Sequence, residues 1–241
     1  MSIGENVAAV RAGIAAACAR VGRDPSAVTL LAVSKTHPVE AVLEAAAAGV
    51  QHFGENRVEE AVIKIPQVNR RAGAPLVWHM VGHIQSRKAR DVVPLFQVVQ
   101  SVDSLKLAEK LSRLAVERGV RLDALVEVNV SGEATKGGFA ACNWADDPAV
   151  RAALWHDFAQ VLALPGLNVR GLMTMAPLVA DMEQARPVFR GLFALRQALA
   201  ETFGVALPEL SMGMTDDYPV AVEEGATIVR VGRAIFGERL R

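Results

Sequence analysis

Residues 28–38 read VTLLAVSKTHP, and the fold can be worked out from this stretch. Its apolar first half predicts a buried strand, and Pro38 ends the element because proline cannot donate to a sheet ladder. Side chains alternate along a strand, so Leu31, Val33 and Lys35 share one face. If that face lines a core, Lys35 lies at the rim of the core.

Lys35 has two possible roles. A lysine half sunk in apolar surroundings loses hydration, its pKa falls from about 10.4 toward neutrality, and the neutral amine forms Schiff bases with carbonyl compounds. The alternative is a lysine that extends to solvent from the end of a strand. This segment alone favours the second role, so the choice depends on the rest of the chain.

Apolar runs typical of buried strands recur along the whole chain and alternate with helical patterns. Strands are predicted at 28–33, 51–56, 76–81, 96–102, 122–130, 168–175, 207–212 and 226–231. Helices are predicted at 3–21, 39–48, 57–65, 103–119, 147–163, 182–203 and 215–225, with Asp103 as the cap of the fourth.

This alternation predicts the fold class. Eight strand–helix units in about 250 residues are the size of a TIM barrel, whereas an open doubly wound sheet usually has fewer strands. No linker or change of composition divides the chain. We therefore predict one α/β domain over residues 1–241, a single TIM (β/α)8 barrel with an extra N-terminal helix.

Composition and charge exclude several classes of protein. Hydrophobic residues make up 51%, which excludes disorder, and 26 basic against 26 acidic residues argue against a nucleic acid partner. Cys18 and Cys142 lie far apart and form no metal-ligand spacing. Glu5 and Arg11 interrupt any signal peptide, and no apolar run reaches the ~20 residues of a membrane span. We expect a soluble cytoplasmic protein with neither metal nor membrane partner.

Polar residues gather where the predicted strands end. In a TIM barrel the active site lies at the C-terminal ends of the strands, so this pattern predicts a pocket rim there. The residues at these ends are Lys35, Asn56, His83, Asn129, Met173, Thr174 and the segments 211–213 and 230–232. His79 and His83 are too far apart on a strand to share a metal ion, and we expect His79 to be packed and His83 to lie at the rim.

The last two strands predict an anion site. Phosphate sites in this fold often use the loops after strands seven and eight and the start of a short helix. Residues 211–215 supply two hydroxyl groups and a glycine, and residues 232–237 supply a glycine and a helix start with free N–H groups. Each segment alone could be an ordinary turn or cap. Together they predict phosphate binding.

Arg230 shares a strand face with Ile228 and Gly232. Arginine stays charged, so it forms either a structural ion pair, with Glu127 or Glu209, or a hydrogen bond to a ligand. A ligand with an aldehyde and a phosphate at opposite ends would use the lysine, the phosphate site and this arginine. Pyridoxal 5′-phosphate and a phosphorylated sugar both fit.

Eight motifs occur in order along the chain: LAVSKTH at 31–37, HFGENR at 52–57, WHMVGHIQSRK at 78–88, SVDSL at 101–105, VNVSGEATKGGF at 128–139, GLMTMAP at 171–177, LSMGMTDD at 210–217 and ATIVRVGRAIFG at 226–237. By these motifs the chain resembles the pyridoxal phosphate homeostasis protein family, whose fold is similar to the N-terminal barrel domain of alanine racemase. Two features differ from the family pattern: the segment 140–156 is longer, and Arg57 stands where tyrosine is common.

The resemblance implies that pyridoxal 5′-phosphate is the cofactor and that Lys35 holds it as a Schiff base. It implies phosphate contacts from four residues, ring contacts from two, and one donor near the pyridine nitrogen. These residues are, in that order, Ser211, Gly213, Thr215 and Gly232; Asn56 and Met173; and Arg230.

The resemblance also implies a carrier with no catalytic residues. An arginine at the pyridine nitrogen leaves the ring unprotonated, which weakens it as an electron sink, although related racemases tolerate this. Those racemases take a second base, a tyrosine, from an additional β-domain, whereas the one tyrosine here, Tyr218, begins a predicted helix. We expect a monomer that stores, buffers or delivers the cofactor, with pyridoxal-phosphate-dependent apo-enzymes as partners. The alternatives are a single-domain amino-acid racemase or related enzyme and a Schiff-base aldolase.

Overall fold

A closed barrel of eight parallel strands forms the centre of the computed structural model, which describes residues 2–177 and 179–238. The strands are β1 (Thr29–Val33), β2 (His52–Glu55), β3 (Val77–Met80), β4 (Val98–Val102), β5 (Leu122–Asn129), β6 (Phe139–Ala140), β7 (Leu167–Met173), β8 (Glu209–Ser211) and β9 (Ile228–Val231). β1 pairs with β2 and β9, and β4 pairs with β5, which closes the ring. β6 pairs with β5 beside the ring. The predicted TIM barrel is confirmed.

Helices surround the strands and precede the barrel, as predicted. They are α1 (Ile3–Arg20), α2 (Val39–Ala47), α3 (Val58–Arg71), α4 (Ala89–Val92), α5 (Leu105–Glu117), α6 (Pro148–Leu162), α7 (Arg186–Phe203), α8 (Tyr218–Glu223) and α9 (Arg233–Phe236). Short 3-10 helices among the described residues lie at Pro25–Ala27, Ser86–Lys88 and Met182–Ala185. Within the described ranges, no helix is long and apolar enough to span a membrane.

The structure corrects two helix predictions. The helix predicted to end at residue 65 continues through Pro66 to Arg71, because Ile65 and Val68 pack into the core and offset the N–H group that proline lacks. Ser104, and not Asp103, caps α5: its hydroxyl accepts from the Leu107 N–H. The short α4 and β6 were not predicted, since elements this short show no periodicity.

Two apolar cores lie on either side of the strands. The larger one fills the space between strands and helices. The smaller one fills the inside of the barrel with Leu31, Val33, Leu125, Met173 and Ile228. Leu31 and Val33 therefore face inward as predicted, and the chain after Val33 leaves the barrel at the end where all C-terminal strand ends meet.

Candidate functional site

Lys35 lies in a turn just beyond β1, which ends at Val33. The turn is held by the Ser34 N–H, which donates to the Gly54 carbonyl over 2.9 Å, and contains Thr36 in the left-handed region, with φ of 65°. Lys35 is half-buried. Lys35 therefore lies beyond the strand, in a turn, and does not end strand one as predicted.

A hydrogen-bonded group of polar and charged residues lies behind this turn. We call Ser34, Glu55, Glu60 and Lys64 the turn cluster. Lys64 of α3 donates to the Ser34 carbonyl over 2.8 Å and to Glu55 Oε1 over 2.9 Å, and it also pairs with Glu60. Glu60 in turn accepts from the Thr36 N–H over 2.6 Å. The backbone on both sides of Lys35 is thus bonded to ionisable side chains.

The turn cluster is buried except for Glu60, which is partly exposed. Glu55 has no exposed surface and Lys64 is 6% exposed. Burial raises the pKa of Glu55, and the charge of Lys64 opposes that rise. Outside the cluster, the ring of His37 stacks on Phe236 of α9 with centroids 5.0 Å apart, and burial lowers the pKa of this histidine. Burial thus shifts the pKa of Glu55 and of His37 toward the neutral form of each group.

The predicted phosphate segments meet beside this turn. The Thr215 hydroxyl accepts from the Ala234 N–H over 3.4 Å, which joins the loop after β8 to the start of α9. Gly213 has φ of 91°, and a Cβ there would lie 2.5 Å from Ala221 Cβ. A Cβ on Gly232 would lie 3.2 Å from the Val33 carbonyl oxygen. Both glycines permit a close approach of backbone, and Gly232 places the second segment next to the end of β1.

Ser211 is not in the open part of these segments. It is fully buried inside the barrel, donates to Gln100 Oε1 over 2.6 Å and accepts from Arg230 Nη1 over 2.6 Å. Its hydroxyl already has a donor and an acceptor. The prediction that Ser211 holds a phosphate therefore has no support from this geometry, whereas a role in supporting Arg230 does.

Arg230 is 6% exposed and projects into the barrel. Its Nη1 donates to Ser211, and its Nη2 donates to the Thr174 carbonyl over 2.8 Å. No carboxylate of the described residues forms an ion pair with it, so the predicted pair with Glu127 or Glu209 is not formed. Burial lowers the pKa of Arg230 to about 10. The guanidinium group is held by neutral oxygens.

The two predicted ring contacts differ in environment. Met173 ends β7 and is fully buried in the core inside the barrel. Asn56 follows β2, and its Oδ1 is buried with no hydrogen-bond partner among the residues described. A buried polar atom without a partner is costly, so Asn56 offers an acceptor that a bound ligand could use.

Glu127 lies at the mouth of the barrel, although the sequence suggested it only as a possible ion-pair partner of Arg230. It lies near the end of β5, paired in register with Met173, and is 6% exposed. Burial, with Asp103 nearby, raises its pKa to about 7. Asp103 itself contacts His83, whose Nδ1 lies 2.7 Å from Asp103 Oδ2. The sequence signal that could have identified Glu127 is an acidic residue inside the apolar run 122–130.

His83 and His79 lie as predicted, with His83 at the rim and His79 packed in the barrel. The side chain of His83 is 72% exposed, whereas His79 is 2% exposed. Within the part of the chain that the structure describes, no three or more histidine, cysteine or acidic side chains are grouped so that they could hold a metal ion.

Comparison with known proteins identifies the family. The family model for the alanine racemase N-terminal domain matches residues 6–240. A pyridoxal phosphate homeostasis protein of Pseudomonas aeruginosa is 44% identical over 99% of this chain and 96% of its own length, and one of Aquifex aeolicus is 39% identical over 99% of both. The chain belongs to the pyridoxal phosphate homeostasis protein family.

A solved structure gives the same result for the fold. PipY of Synechococcus elongatus, in a structure with PLP bound, is 38% identical, superposes with a TM-score of 0.82, and matches over 98% of this chain and 100% of its own. The resemblance read from the eight motifs is therefore confirmed. The roles of the individual residues in the homeostasis protein site stay predictions.

The segment 140–156, one of the two departures from the family pattern, begins at the end of β6, where Ala140 pairs with Asn129 at the C-terminal end of β5. It continues through a stretch of turns into the first half of α6, and Trp144 of the turns stacks on Trp155 of α6 with centroids 5.8 Å apart. Arg57, the other departure from the family pattern, is the N-cap of α3 and makes no side-chain capping bond.

Proposed function

We propose that this protein binds pyridoxal 5′-phosphate and takes part in its intracellular homeostasis by storing, buffering or delivering the cofactor. The observation that carries the proposal is the position of Gly232 beside the end of β1, where a Cβ would lie 3.2 Å from the Val33 carbonyl oxygen. It places the predicted phosphate segments directly beside the turn that holds Lys35. The names of the relatives, and PLP in the PipY structure, support the same ligand.

The residues present fit this cofactor. The buried Oδ1 of Asn56 lacks a partner, and Gly213 and Gly232 leave room where a Cβ would meet neighbouring atoms. Pyridoxal phosphate supplies an aldehyde that condenses with an amine, with loss of water. We assign the amine to Lys35, the phosphate contacts to Thr215 and the backbone around the two glycines, and the ring contacts to Asn56, Met173 and Arg230.

A non-catalytic role is part of the proposal. Arg230 donates only, so it favours an unprotonated ring nitrogen and a weaker electron sink. The one tyrosine of the chain does not serve as a second base: the Tyr218 hydroxyl packs against Gly13 of α1, where a Cβ would lie 2.0 Å from it. Burial raises the pKa of Tyr218, which also disfavours proton abstraction.

One observation favours the alternative, a pyridoxal-phosphate-dependent amino-acid racemase or related enzyme. Glu127, with its pKa near 7, is a group suited to acid–base catalysis, and it lies at the mouth of the barrel. The main proposal further includes a single domain over residues 1–241, a monomeric state, a cytoplasmic location and apo-enzymes as recipients of the cofactor.

The test is covalent trapping. Protein incubated with pyridoxal 5′-phosphate is reduced with borohydride, and the modified peptide is identified by mass spectrometry. We expect the added mass on Lys35, its absence in Lys35→Ala, and its presence in the control Lys106→Ala, which removes an exposed lysine of α5. Labelling of another lysine in the wild-type protein would contradict the assignment of Lys35.

A second measurement separates carrier from enzyme. The loaded protein is incubated with L- or D-amino acids, and the opposite enantiomer is followed by chiral chromatography. A carrier leaves the enantiomers unchanged. Turnover that is lost in Glu127→Gln would favour the racemase alternative.

A further inference from the structure

Five polar side chains cross the inside of the barrel, beside the apolar residues of its inner core. Each comes from a different strand, and we call them the barrel chain. They are His52 of β2, His79 of β3, Gln100 of β4, Ser211 of β8 and Arg230 of β9. The function proposed above uses Arg230 alone.

The barrel chain is continuous. Arg230 Nη1 lies 2.6 Å from Ser211 Oγ, which lies 2.6 Å from Gln100 Oε1. Gln100 Nε2 lies 2.9 Å from His79 Nδ1, and His79 Nε2 lies 3.0 Å from His52 Nδ1. Ser211 and Gln100 have no exposed surface. The middle of the chain is therefore closed to bulk water.

All four bonds donate in the same direction. A guanidinium group only donates, so Ser211 accepts from Arg230 and gives its own proton to the Gln100 oxygen. The amide nitrogen of Gln100 must then donate, which makes His79 Nδ1 an acceptor and places the ring proton on Nε2. Burial, together with the neighbouring His52, lowers the pKa of His79 to about 3, so the ring stays neutral.

The two ends of the barrel chain lie in different places. At one end the guanidinium group of Arg230 is held between Ser211 and the Thr174 carbonyl, beside the proposed cofactor ring. At the other end His52 lines a cavity of about 410 Å³, together with Arg11 and Gln51, at the N-terminal end of the strands. Removal of an interior member would leave its neighbours as buried groups without partners, and the effect would reach Arg230.

We propose that Gln100 and His79 are positioning residues for Arg230 and that they fix its guanidinium group toward the ring nitrogen of the cofactor. Gln100 holds the Ser211 proton, so the Ser211 lone pair must face Arg230. His79 holds the amide of Gln100 in the orientation that this requires. The inference rests on the proposed function, since it assumes that the cofactor ring lies against Arg230.

The test compares two variants of one residue. Gln100→Leu removes both hydrogen bonds at similar volume, and we expect about a tenfold weaker affinity for pyridoxal 5′-phosphate and a shift of the visible absorption band at saturation. Gln100→Glu keeps an acceptor for Ser211, and its carboxylate in the ionised form requires a proton on His79 Nδ1. We expect it to retain most of the affinity and to change the tautomer of His79.

Ser112→Ala is the matched control for loss of a buried polar group. The Ser112 hydroxyl accepts from the Gly166 N–H over 3.0 Å on the outer face of the barrel, away from the site. We expect a loss of stability with no change of the band. An independent readout is nitrogen-15 NMR of the cofactor-free wild-type protein, in which the proton of His79 should lie on Nε2.

The outcomes are distinguishable. A Gln100→Leu protein with the wild-type band and affinity would overturn the inference alone, and so would a proton on Nδ1 of wild-type His79. If Gln100→Leu does not fold, the inference is decided by the cofactor affinity of Gln100→Glu and by the tautomer of His79 in the wild-type protein and in that variant. A wild-type protein that takes up no pyridoxal phosphate would overturn the proposed function, and this inference with it.

Discussion

The turn cluster and the barrel chain are both buried polar groups, but they differ in charge and in what they hold. The turn cluster contains three ionisable side chains between α3 and the end of β1, and it bonds to the backbone around Lys35. The barrel chain carries one charge, at Arg230, and bonds side chain to side chain.

The difference shows two ways of holding a residue of the candidate site. A turn with Thr36 at positive φ has little intrinsic stability, so charged side chains fix its backbone. Arg230 lies on a regular strand whose backbone is already fixed, so its side chain alone needs support. Damage to the turn cluster should therefore appear mainly as a loss of stability, and damage to the barrel chain mainly as a change at the site.

Lys64→Met should have the largest effect on stability. It removes the cation from a buried ion pair and leaves Glu55 in the interior, a change that typically costs about 3–5 kcal/mol. The measurement is the free energy of unfolding from urea denaturation. Lys88→Met is the control, because the pair of Lys88 with Glu59 lies at the surface and is worth about 0–1 kcal/mol. Equal losses in the two variants would show that the turn cluster does not stabilise the fold.

Glu127→Gln tests a buried carboxyl group that lies outside both the turn cluster and the barrel chain. A pKa raised from 4.5 to about 7 means that the folded state binds the proton more tightly than the unfolded chain. The wild-type protein should therefore lose stability relative to Glu127→Gln as the pH rises from 4.5 to 7, by at most about 3 kcal/mol.

Unfolding free energies measured at several pH values across this range check the prediction. Glu109→Gln, on the exposed face of α5, is the control and should leave the pH dependence of the wild-type protein unchanged. A Glu127→Gln profile parallel to that of the wild-type protein would show that Glu127 titrates normally.

Ser211→Ala should have the smallest effect on stability. It leaves Gln100 Oε1 and one N–H of Arg230 without a partner, at a cost of about 2 kcal/mol. Thermal unfolding, with Ser112→Ala alongside, measures that cost. The affinity for pyridoxal 5′-phosphate should fall in Ser211→Ala alone. Loss of affinity in both variants would point to a general loss of stability instead.

Much of the fold followed from local pattern. All eight barrel strands and the N-terminal helix lie where apolar runs and helical periodicity predicted them, because both signals depend on neighbours within a few residues. The predicted end of α3 near Pro66 was wrong, because the end of this helix depends on tertiary packing. The hydrogen bond lost at proline is offset by the packing of Ile65 and Val68, which no local sequence pattern shows.

The sequence predicted which residues lie near the candidate site, but it did not predict their contacts. The rule that sites lie at the C-terminal strand ends selected Lys35, Asn56 and Arg230. Gly213 and Gly232 were selected because each follows an apolar run. Ser211 also looked suited to bind a phosphate. The sequence does not show whether a hydroxyl group at a strand end faces solvent or the inside of the barrel.

The sequence by itself determined the order of strands and helices, the barrel and the chemical types gathered at one end of it. The tertiary structure decided which polar group bonds to which: Ser211 and Gln100 are 111 residues apart, and Lys64 reaches Ser34 across 30. Secondary structure depends on short-range periodicity, whereas the partner of a buried polar group depends on which strands close the barrel together.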